Sequence, residues 1–184
     1  MLRCWVDVHR PTAPEHYPND DVINRASGSQ YFHHCHRPEA DEHGHLHLFA
    51  RADAAGRWRG ARRGGTLTHL VALGLDARGL PLNFFTVNQW VTDDPWFDAA
   101  RTLALLGRFH IAPRGPWAAG DRWLNAFVAL YRPAIARALA LRDARVAALT
   151  ARRPWSKVAI DRRVEVRSSV RVDWAADLRS LAHA

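Results

Sequence analysis

Lysine is almost absent from this chain: of its 26 basic residues only Lys157 is not arginine. A net charge of +8 would ordinarily raise nucleic acid as a partner, because clustered cations attract a phosphate backbone. Arginine in place of lysine, beside abundant alanine and leucine, is instead what a GC-rich genome writes throughout a protein. No helix-turn-helix, zinc-finger or RNP-type pattern accompanies the charge, so the sequence argues against a nucleic-acid partner. Cysteine is scarce too. Cys4 and Cys35 are too few for a disulfide framework and are not spaced as a CxxC metal site, which fits a reducing cytoplasm. No apolar run approaches the length of a membrane span, and the opening MLRCWVDVHRPTAP lacks the apolar centre of a signal peptide. The expectation is a soluble cytoplasmic protein with no membrane partner. At 184 residues and 48% hydrophobic content it should form one well-buried core and a single domain over 1–184. Residues 1–29 are weakly patterned, 1–15 most of all, as from a displaced or shortened start.

What the chain has in plenty is histidine, and six of its eleven lie between His33 and His47. His43, His45 and His47 alternate with Gly44, Leu46 and Leu48, the period of a strand, so the imidazoles share one side and the leucines the other. Tyr31 to His36 also reads as a strand, and Arg37 to Glu42 (RPEADE) as the connection of an antiparallel hairpin. With that connection His36 lies opposite His43 and His34 opposite His45, so His34, His36, His43, His45 and His47 converge on one face. A one-residue slip would bring His33 and Cys35 there instead. Imidazoles so close would repel if protonated; neutral ones can share a cation, since imidazole is the commonest metal ligand. A metal-free polar pocket and a simply solvated face are the alternatives.

The same residues carry a resemblance. His16-Tyr17-Pro18, Gln30 to Arg37 (QYFHHCHR) and Glu42 to Phe49 (EHGHLHLF) resemble a proteobacterial family of uncharacterised proteins, a domain of unknown function, with HYP, QYYYHAHR and EHGHFH motifs. His69-Leu70-Val71-Ala72, Phe85 to Thr92 (FTVNQWVT, against FTTNRWVT), Arg122-Trp123-Leu124 and Asp161-Arg162 extend the likeness over residues 15–175. It places the family's histidines on His34, His36, His43, His45 and His47. His33 stands where the family has tyrosine, and Leu46 and Gln89 depart from its Phe and Arg. The resemblance implies no particular activity.

Elsewhere the chain reads more coarsely. Asp20, Asp21 and Asn24 suit turns, or a carboxylate that orients the site. Ala52 to Gly65, with four arginines, reads as a loop whose Arg57, Arg59, Arg62 or Arg63 could meet an anionic ligand. Thr66 to Leu75 and Leu80 to Trp90 are strands joined at Asp76-Ala77-Arg78-Gly79, with His69, Val71 and Leu73 on one face; His69 is either a further ligand or a core histidine. A helix is expected over Thr92 to Phe109, others over Asp121 to Tyr131 and Pro133 to Ala151, short strands at Val164–Val166 and Val170–Val172, and a last helix from Trp174 capped by Asp173. The class is α+β, an antiparallel sheet of four or more strands with helices on its leucine face.

The leading expectation for function is a metal-dependent enzyme acting on a small molecule. His34, His36, His43, His45, His47 and His69 are the candidate ligands of a divalent metal (zinc, iron or copper), and if only three of the five hairpin imidazoles bind, positions stay open for water or substrate; with zinc the chemistry would be hydrolysis or lyase chemistry with Glu42 or Asp41 as base, and with iron or copper oxidation. The alternatives are a non-catalytic protein that holds a metal, haem or other ligand, and a metal-free structural or assembly partner.

Overall fold

The computed structural model describes residues 16–35, 42–59 and 65–181. Six strands run in chain order across one antiparallel sheet: β1 His16–Asn24, β2 Ser29–His34, β3 Gly44–Ala52, β4 Thr66–Leu75, β5 Pro81–Val87 and β6 Val166–Arg171. The helices are α1 Gln89–Thr92, α2 Ala99–Leu106, α3 Ala118–Leu130, α4 Arg132–Thr150, α5 Trp155–Ala159 and α6 Trp174–Leu181. This is an α+β fold. Among the described residues no single helix is long and apolar enough to cross a membrane.

The alternation of β3 divides the molecule. Leu46 and Leu48 are wholly buried in a core with Tyr31, Val71, Leu73, Leu75 and Phe84 from the sheet and Leu105, Leu106, Leu124, Phe127, Ile135 and Leu139 from α2, α3 and α4. Burial on this scale is the main favourable term in folding. Polar ties fix the layers: the Tyr31 hydroxyl donates to Asp121 Oδ1 at 2.8 Å, and Ser168 Oγ donates to the Ala138 carbonyl at 2.7 Å. The β4–β5 turn forms where expected, with Asp76 Oδ1 accepting the backbone N–H groups of Arg78 and Leu80 and Gly79 at φ 77°.

Several expected elements are redrawn. No helix begins at Thr92: Asp93 adopts φ 51°, ending α1, and α2 starts only after Asp98, whose carboxylate accepts from the Arg101 N–H. The two short strands near Val164 and Val172 are the single strand β6. The last helix stands as expected, its Asp173 cap accepting from Ala176 N–H at 2.9 Å.

The largest correction concerns β4. Leu73 pairs with Leu46 and Val71 with Leu48, but the register then shifts and His69 pairs with Phe49. Leu70 is the extra residue of a β-bulge, buried with the core. The bulge puts His69 on the face opposite Val71 and Leu73, not beside them.

Candidate metal centre

Three transverse rows make up the histidine face. In the first, pairing runs His16↔His34↔His45↔Gly74↔Asn83 across β1 to β5. The second runs Phe32↔His47↔Ala72↔Phe85, and the third Gln30↔Phe49↔His69. His34 opposite His45 is the register with the even connection, so His33 and Cys35 lie on the leucine side. His33 is fully buried there beside Cys35 Sγ at 3.7 Å, and burial raises the Cys35 thiol to about 11, so it is no thiolate at neutral pH.

Among the described residues His34, His45 and His47 each offer one ring nitrogen, all within 4.8 Å of one another. Their ring centroids lie 4.6 to 5.8 Å apart, and His45 and His47 are only 2% exposed. Both are held through Nδ1. His45 Nδ1–H donates to Glu42 Oε1 at 2.6 Å, while His47 Nδ1 and His69 Nε2 are hydrogen-bonded to each other at 3.0 Å. Such bonds orient an imidazole, as outer partners do at known metal centres. Phe32, Phe49 and Phe85 wall the cluster, with Phe85 5.2 Å from His45. At the β1 side His16 stacks on Phe32 at 3.6 Å, and Asp21 accepts from both His16 and Gln30. At the other side Val91 of α1 packs on Ala72, Phe85 and Val87.

His69 touches the cluster through His47, and its own backbone N–H donates to Asp94 Oδ2 at 2.6 Å. Burial first, then the Arg142 and His45 charges, push the His69 imidazole down to about 3; burial, then His45, His43 and His34, do the same to His33. Both are therefore neutral. Burial raises the Asp94 carboxyl above its ordinary range. His43 is half-buried just before β3, its backbone N–H bonded to the Leu75 carbonyl, and does not join the group of three. Glu42 stands as the orienting partner of His45. His36 and Asp41 lie outside the described residues. Asn24 serves a turn, accepting from the Ala26 and Ser27 N–H groups. Arg57 and Arg59 pair with Asp53, and Arg62 and Arg63 lie outside the described residues. Gln89 donates to the Asp94 carbonyl, close to His69.

A family model described as a domain of unknown function, DUF6969, matches residues 1–172. The chain belongs to DUF6969. No curated protein and no solved structure matches it. In this DUF6969 chain two residues with no local signal complete the first row. Gly74, between His45 and Asn83, leaves space filled by the carboxylate of Glu42: a Cβ there would stand 2.7 Å from Glu42 Oε2 and closer still to Asn83 Oδ1. Gly74→Ala is thus expected to cost about 1 to 3 kcal/mol by overpacking, read from urea unfolding. An unchanged midpoint would mean the two side chains swing aside freely.

Proposed function

We propose that this protein is a metal-dependent enzyme acting on a small molecule, with His34, His45 and His47 as its metal ligands. The observation that carries the reading is the convergence of three ring nitrogens within 4.8 Å on a largely buried face, two of the rings already oriented through Nδ1. Three imidazoles suit zinc, non-haem iron or copper, and they leave coordination positions for water or substrate, whereas a structural zinc site is closed and usually thiolate-rich. The metal would supply Lewis acidity or redox chemistry according to its identity. The chain supplies orientation: Glu42 holds His45, His69 holds His47, and the phenylalanine walls limit water. Glu42 Oε2 is not engaged by His45 and is the candidate base at this site.

Elemental analysis of protein purified without a His-affinity column tests the reading. About one equivalent of metal is expected per folded chain. His45→Ala should lose most of it, and His33→Ala should keep it, because His33 lies on the opposite face. Equal loss from both variants, or no metal in the wild type, would remove the site as drawn and favour a metal-free network of hydrogen-bonded histidines.

A further inference from the structure

We infer that the ligand of the histidine face presents an N–H or O–H donor to two oxygen acceptors, Asn83 Oδ1 and Glu42 Oε2, held over Gly74. The inference rests on reading His34, His45 and His47 as a metal site, and it adds the polar half of ligand recognition.

The sheet lays the parts side by side. His45, Gly74 and Asn83 are direct cross-strand neighbours on β3, β4 and β5, and adjacent strands lie about 4.8 Å apart. A molecule bound at the imidazoles that runs over Gly74 therefore reaches Asn83 within the length of a few bonds. Both oxygens close over the bare Cα of Gly74, each so near that a Cβ there would strike Asn83 Oδ1 and Glu42 Oε2 together. Only glycine lets the two acceptors come this close to each other.

The chemistry of the pair is one-sided. Asn83 Oδ1 is buried and has no donor among the described residues. Buried acceptors are nearly always satisfied, and those that are not call for an explanation. Glu42 uses Oε1 on His45 Nδ1, which turns Oε2 toward Gly74. An amide oxygen and a carboxylate oxygen facing one spot repel an acceptor and reward a donor, a cationic one most of all. The ligand class is thus a small amine, amide or alcohol that also carries a metal-binding group. A carboxylate or phosphate at this end is disfavoured.

Cobalt-loaded protein provides the test, because its visible spectrum reports ligand exchange at the metal. Acetohydroxamate and N-methylacetohydroxamate chelate through the same two oxygens and differ in that only the first keeps an N–H. The wild type should bind acetohydroxamate about tenfold more tightly, one net hydrogen bond. In Asn83→Leu the preference should fall to about one, with cobalt stoichiometry unchanged. The metal-free variant should unfold at no lower a temperature than the wild type, since an unsatisfied acceptor has been removed rather than a bond. A wild-type preference near one, a preference that survives in Asn83→Leu, or a clear drop in the variant's unfolding temperature would each overturn the inference while leaving the metal site standing. Wild-type protein that takes up no cobalt removes both.

Discussion

Leu48→Ala is expected to lower the unfolding free energy by about 2 to 5 kcal/mol while leaving metal content per folded chain at the wild-type level. Leu48 is wholly buried, paired between Tyr31 and Val71, under the core that α2, α3 and α4 complete. Truncation removes three carbon atoms from a packed interior, and the cavity term adds to the lost transfer free energy. The imidazoles of His47 and His45 point the other way along the same strand, so their nitrogens keep their positions. Urea unfolding followed by circular dichroism, with elemental analysis on the same preparation, reads both quantities. Intact stability with metal lost would show that β3 had been assigned the wrong way round.

Acidification should have an effect of similar size. His33 and His69 are pushed from the ordinary imidazole value of 6.5 down to about 3 in the folded chain, chiefly by burial. Above pH 6.5 both are neutral whether folded or unfolded, and their contribution to stability is complete. As pH falls from 6.5 toward 3 the unfolded chain takes up protons that the native one refuses, so stability is lost, at up to about 1.4 kcal/mol per pH unit for each group. Between pH 7 and 4.5 the two together should cost up to about 5 kcal/mol. Unfolding midpoints measured with a chelator present, so that proton competition for a metal plays no part, should show this slope, and His33→Asn or His69→Gln should reduce it. A flat profile from pH 7 to 4.5 would contradict the burial of both rings.

How much of this was legible beforehand follows from the range over which each signal acts. The hairpin could be read because His43, His45 and His47 occupy every second position, and each position's face is then fixed by parity. Pairing His34 with His45 needed only the length of the connection. His69 was misplaced for the same reason: His69, Val71 and Leu73 also alternate, and nothing nearby announces that Leu70 is passed over in pairing. The start of α2 was set too early because Thr92 and Asp93 are good capping residues by type, whereas the left-handed backbone of Asp93 and the tie of Asp94 to His69 N–H arise from tertiary contacts. Asn83 and Gly74 were missed altogether. A glycine in a strand and an asparagine near a turn are ordinary on their own, and their meaning comes from lying in one row with His45.

The bulge at Leu70 changes how relatives of this chain should be aligned. Substitution at position 69 alters which side chain meets His47, but not which side of the sheet it comes from. Loss of a single codon between His69 and Val71 would restore unbroken pairing and leave His69 opposite Phe49, on the same side of the sheet. A one-residue gap there consequently separates proteins less than its place inside a strand suggests. A histidine aligned with His69 stays its counterpart across such a gap, because its face is counted from Phe49 on the neighbouring strand and not from Gly74 on its own.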